Sequence, residues 1–195
     1  MSVTKSNVTA AKPQITGAVS VAQIGTTPPT SADVSLASAF KNLGYISEDG
    51  LTNATELDRE VIKAWGGDPV LVVHNGKEDT FTFTLIEVMN DEVLKFIHGS
   101  SNVSGSALSS GYAVTVKNED SDDVVAVIDM ILRGGVLKRI VIPCAHITEV
   151  GEVKYADGEA VGYEITLTAI ADASGMTHYE YLKTPSSGGG GGGTT

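Results

Sequence analysis

Phe81, Phe83 and Leu85 interleave with Thr80, Thr82 and Thr84, the period of two that a half-buried strand requires. Val124 to Leu132 is apolar at nearly every position, as in a strand covered on both faces. Gly134-Gly135 then suggests a two-residue turn into a strand over Val136 to Ile142. That register pairs Arg133 with Val136 and Ile131 with Lys138, and sets Lys138 diagonal to Asp129 as its neutralising partner. Asp157-Gly158 predicts a second hairpin, with Lys154 opposite Val161, Glu152 opposite Tyr163 and Val150 opposite Ile165. One face of its returning strand carries Val161, Tyr163, Ile165, Leu167 and Ala169. The other carries Gly162, Glu164, Thr166 and Thr168, joined across the pair by Glu149, and Tyr179 and Tyr181 mark a last short strand.

Two helices interrupt this β pattern. Leu57, Val61 and Trp65 recur at i, i+4 and i+8, which predicts a helix over Glu56 to Trp65. Thr55 with Asp58 resembles a capping box, and Gly66-Gly67 followed by Pro69 is a stop signal. The second helix spans Asp91 to His98, with Asn90 as N-cap, Asp91 and Glu92 in the first turn and Gly99 at the end. The expected class is therefore mainly β, a β-sandwich or partial barrel with one or two short helices.

Residues 1–35 carry only Lys5, Lys12 and Asp33 among many Thr, Ser, Ala and Gly, and their one strand-like stretch, Gly17 to Gly25, looks isolated from the later core. They read as an extended arm that pairs with a neighbour. Residues 36–182 form the β domain, and residues 183–195, with six consecutive glycines, read as a flexible linker. The net charge of −11, from 13 basic and 24 acidic residues, argues against a phosphate-gripping surface, because duplex binding is driven by Lys and Arg displacing counterions. One cysteine, Cys144, excludes an internal disulfide framework. Met1 to Ala11 holds no apolar segment of the kind a signal peptide carries, and no run of about 18 apolar residues is present.

Motifs for chemistry are sparse. Cys144-Ala-His146 could supply two ligands from one strand face, but no second pair at zinc-site spacing accompanies it. Asn118 to Asp123 has the carboxylate density of a calcium loop without its glycine or final bidentate Glu, and reads better as a solvated turn. Glu48-Asp49 is a turn, since adjacent carboxylates on extended backbone point apart. No nucleophile elbow, zinc-protease helix or phosphate loop occurs, so neither an enzymatic activity nor a cofactor or metal is expected.

The segment Pro28-Pro29-Thr30-Ser31-Ala32-Asp33, the run Leu43-Gly44-Tyr45-Ile46-Ser47-Glu48-Asp49-Gly50-Leu51-Thr52 and the tail Ala64-Trp65-Gly66-Gly67-Asp68 carry a resemblance. Together they resemble the major tail tube proteins of long-tailed phages, particularly those of Gram-positive and actinobacterial hosts. That fold is shared with the inner tube of type VI secretion. The resemblance implies a virion protein, assembled in the host cytoplasm, whose subunits form stacked hexameric rings. Its partners would be other copies of itself, a tape-measure protein in the lumen, and terminator and baseplate or distal tail proteins at the ends. Double-stranded DNA would pass without specific binding, and no membrane is involved. Some relatives carry an immunoglobulin-like module after a flexible linker.

By the same analogy residues 1–35 are the inter-subunit arm and residues 48–69 a stacking loop, so Leu57, Val61, Trp65, Asp49, Val19 and Val21 become candidates for inter-ring contact. A channel that passes DNA needs carboxylates and hydroxyls rather than Lys or Arg on its wall. Glu149, Glu164, Thr166 and Thr168, with Thr80, Thr82 and Thr84, are the candidates to line it. The competing expectation is a secreted β-sandwich adhesin or carbohydrate-binding module, which calls for a leader and exposed aromatics in a chain only 6% aromatic.

Overall fold

In the computed structural model, which describes residues 3–105 and 107–185, the chain is mainly β, built around one antiparallel sheet that is not closed into a barrel. The strands are β1 (Ala11–Pro13), β2 (Val19–Gln23), β3 (Lys41–Asn42), β4 (Ile46–Lys63), β5 (Pro69–Leu85), β6 (Val103–Ser104), β7 (Ala113–Val114), β8 (Val124–Leu132), β9 (Leu137–Val150), β10 (Tyr163–Ala169) and β11 (Tyr179–Lys183). The helix α1 (Asp91–His98) lies between β5 and β6. The sheet runs β3-β2-β8-β9-β10-β5-β4, and β6 pairs with β7 separately. The long strands β8 and β9 each serve two neighbours end to end: β1 and β2 share one edge of β8, and β10 and β11 share one edge of β9.

The core lies on one face of this sheet and follows the alternation in the sequence. Phe81, Phe83, Leu85, Ile165 and Leu167 are buried beside Ile128, Ile140 and Ile142, with Val93 of α1 packed among them. The helix begins where expected: the Asn90 side chain accepts the Glu92 N–H (3.0 Å) and Lys95 bridges Asp91 at 2.7 Å. Strand β8 is covered on its second face too. There Val125, Val127 and Val141 are buried, together with the bidentate pair Arg139–Asp129, and Ala32 from the segment between β2 and β3 is buried as well. Arg139 Nη1 also donates to the carbonyls of Ser31 (2.9 Å) and Val34 (2.7 Å), which pins that segment.

Four expectations are corrected. Glu56 to Trp65 is not a helix: Glu56 to Lys63 continues β4, paired residue by residue with β5. Residues 1–35 are not separate throughout, because β2 is inserted between β3 and β8 of its own sheet and contributes Val19 and Val21 to the core. At the β8–β9 connection three residues, Arg133 to Gly135, make the turn, with Gly134 at φ 76° and Gly135 at φ 78°. The extra residue shifts the register by one, so Asp129 faces Arg139, and Lys138 pairs instead with Glu180 (3.0 Å). The Asp157-Gly158 hairpin keeps Val150 opposite Ile165, but its ladder stops there, and residues 151–162 form a loop clasped by Lys154–Glu159 (2.7 Å). Lys183 closes β11, and the expected linker from Ser186 onward lies outside the described residues.

Candidate channel face and assembly hairpin

The candidate lining residues, drawn from three separate stretches of sequence, meet on one surface. Strand β10 is sandwiched between β5 and β9, and its register sets Glu164 opposite Thr84, Thr166 opposite Thr82 and Thr168 opposite Thr80. On the other side Thr166 faces Glu149. A bulge at Thr148 inserts one more hydroxyl into the row, and Thr148 Oγ1 lies 3.0 Å from Thr168 Oγ1. Thr82 and Thr166 are joined at 3.1 Å, and Thr168 donates to Glu78 at 3.3 Å. The neighbouring strand extends the surface with Thr52 opposite Thr82 and Glu56 opposite Glu78. This face is opposite the core, carries hydroxyls and carboxylates, and has no Lys or Arg among these positions.

Beyond Asp79 the same two strands leave the body. From Thr52 to Leu71 every residue is exposed, so the hairpin projects about 30 Å past Thr55 at ~3.3 Å per residue. Its tip is a short turn in which Ala64 and Asp68 exchange a backbone hydrogen bond (2.8 Å), with Gly66 and Gly67 at positive φ. The register divides its side chains by charge. Glu56, Asp58, Glu60 and Glu78 lie on the face continuous with the threonines. Arg59, Lys63, Lys77 and His74 lie on the opposite face, interspersed with Leu57, Val61 and Val72.

The hairpin is anchored at its root by a buried carboxylate. Asp79 has no exposed side-chain surface and receives hydrogen bonds from Thr55 and Thr177, with Lys77 Nζ at 2.8 Å. Burial by itself would raise its pKa, but the Lys77 ammonium and the two hydroxyls outweigh it and hold the carboxyl at about 2. His178 completes the cluster, its ring edge-on to Phe81 at 5.3 Å. This latch joins β4, β5 and the segment entering β11, so the direction of the hairpin is set by the body.

An open hydroxyl and carboxylate face, continuous with a long uncovered hairpin, is an arrangement for assembly rather than for chemistry on a small molecule. The family model described as phage tail tube protein matches residues 3–187. The chain is a member of the phage tail tube protein family. Among curated proteins, none matches it.

Membership makes this tail tube protein a structural component of the virion tail, one that assembles with itself into the tube and meets other tail components. Its candidate contact residues are distributed unevenly. Trp65, at the hairpin tip, is fully exposed at 107%, and Leu57 and Val61 are exposed along its basic face. Asp49 is exposed in the bulged stretch between Ile46 and Leu51, within reach of Ser47 Oγ (3.4 Å). Val19 and Val21 are buried in the subunit's own core, which removes them from any surface. The charge division of the hairpin was missed at the sequence level, although Glu56, Asp58 and Glu60 alternate there with Leu57, Arg59 and Val61.

The Cys144–His146 pair is not a ligand pair. His146 Nδ1 lies 2.9 Å from Asp123 and its Nε2 3.2 Å from Asp120, so the ring fastens the acidic segment to β9. Burial and the Asp123 carboxylate push the Cys144 thiol up, away from the reactive thiolate. Among the described residues no group of three or more His, Cys, Asp and Glu could hold a metal ion, and no helix is long and apolar enough to cross a membrane.

Proposed function

We propose that this subunit closes into hexameric rings that stack into a tube, with the threonine and glutamate face of β5, β10 and β9 lining a channel for double-stranded DNA. The observation that carries this reading is the register that gathers Thr80, Thr82, Thr84, Glu164, Thr166, Thr168 and Glu149 onto one surface without a base among them. Phosphate approaching such a wall meets like charge at short range and gains nothing from counterion release. The outer edge of β4 supports ring closure, since 18 residues of unpaired edge invite a strand or loop from a neighbour. The segment before Gly17, with β1 exposed along its length, is the remaining part of the expected arm and suits a contact between subunits. During assembly the lumen would hold a tape-measure protein, and terminator and baseplate proteins would cap the ends. Glu164→Lys tests the channel. Tubes should form normally in negative-stain images while phage carrying the variant deliver DNA poorly. Unchanged plaque counts would remove Glu164 from the channel wall.

A further inference from the structure

The basic face of the hairpin has no cover within its own chain, and the subunit holds a surface of complementary character. A groove of about 400 Å³ runs between α1, β2 and the start of β8. Ala22, Phe96 and Val124 supply its apolar floor, and Glu92, Asp122 and Asp123 its acidic rim. A second hollow of about 350 Å³ shares Gly99 and Asp122 with it and adds Glu119 and Asp120, so the acidic segment borders both. The bases nearby are largely engaged: Lys95 with Asp91 and Glu92, and Lys117 with Glu119 (3.7 Å).

Resting on the self-assembly proposed above, we propose that the basic face of the β4–β5 hairpin docks into the groove between α1 and residues 119–124 of a second copy. Three features select this occupant. The hairpin presents Leu57, Val61 and Val72, each about half exposed, in the same stripe as Arg59 and Lys63, so it can bury apolar area and pair charges at once. Its reach of about 30 Å carries that stripe well clear of its own body. The opposite face is acidic and would be repelled by the same groove, which fixes the orientation in which the hairpin enters.

The experiment is a charge swap. Arg59→Glu with Lys63→Glu reverses the hairpin without touching Lys77, which holds Asp79; Glu119→Lys with Asp122→Lys reverses the groove without touching Asp120 and Asp123, which hold His146. All four positions are at the surface, so the circular-dichroism spectrum and Tm of each variant should match wild type. Each pair alone should abolish tubes in negative stain and weaken self-association in sedimentation velocity by at least about tenfold. The chain carrying all four substitutions should regain both. Tubes from either pair alone, or no recovery in the fourfold variant, would overturn the docking. If the wild-type chain forms neither rings nor tubes, the ring reading fails separately. The swap is then still read from concentration-dependent dimerisation, which must show the same loss and recovery for the docking to stand.

Discussion

Arg139→Ala should be among the most damaging single substitutions on the sheet, although Arg139 lies in neither the channel face nor the hairpin. Its guanidinium grips Asp129 with two parallel bonds of 2.6 and 3.0 Å, and both residues are almost fully buried. Truncation leaves the Asp129 carboxylate dry and unpaired on a face where Val125, Val127 and Val141 offer no donor. Removing one partner of such a pair costs about 3–5 kcal/mol, most of it the penalty on the surviving charge. The carbonyls of Ser31 and Val34 also lose their donor, but they sit near the surface where water can replace it. With a urea m-value of ~2 kcal/mol/M, the unfolding midpoint of the monomer should fall by about 2 M. If the stranded charge is the cause, Arg139→Met combined with Asp129→Leu should recover most of the loss, because nonpolar side chains of similar volume avoid the desolvation cost. Limited proteolysis supplies a local readout: cleavage near Ser31–Val34 should speed up in the single variant. A midpoint shift under about 0.5 M, or a double variant no more stable than Arg139→Ala, would refute the reasoning.

Two further outcomes follow from the hairpin root and the turn before it. Because the Asp79 carboxyl titrates at about 2 in the fold and near 4 unfolded, its contribution of about 2 kcal/mol is complete above pH ~4 and is lost as pH falls through about 2. Asp79→Asn should remove it at neutral pH and flatten the acid limb of a Tm-versus-pH curve; an unchanged limb would count against the latch. Gly44 sits at φ 75°, and a Cβ there would lie 2.1 Å from the Glu87 carboxyl carbon, which must then release the Tyr45 N–H and the Asn90 side chain. Gly44→Ala should therefore cost about 2 kcal/mol in urea unfolding, and a cost near zero would show that Glu87 is free to move aside.

The β-rich class, the helix over Asp91–His98 with its Asn90 cap, and the two-faced character of β5 and β10 were legible because each depends on local spacing. Missing from the sequence were facts set by a partner strand. Nothing in Arg133-Gly134-Gly135 says whether two or three residues make the turn, yet that one residue decides whether Asp129 meets Lys138 or Arg139. Likewise the low charge of residues 1–35 suggested a free arm, while Val19 and Val21 needed the open edge of β8 to become core. The segment covering Val125 and Val127 is itself irregular, and only Arg139 reaching to Ser31 and Val34 ties it down.

Residues Glu56 to Lys63 show why the helix expectation failed and what the correct signal was. Leu57 and Val61 are four apart, and four is both close to one helical turn and an even number of strand steps, so apolar spacing alone cannot separate the two. Charge can. Glu56, Asp58 and Glu60 occupy the even positions, while Leu57, Arg59, Val61 and Lys63 occupy the odd ones. On a helix the acids at 56 and 60 would share a face with the base at 59 or 63; on a strand the signs separate onto opposite faces. A strand with one acidic and one basic face gains nothing from that division inside a monomer, where all of it is solvated. The division has value only when the two faces meet different surroundings. A phosphate-repelling channel on one side and an acid-rimmed groove of another subunit on the other would provide them.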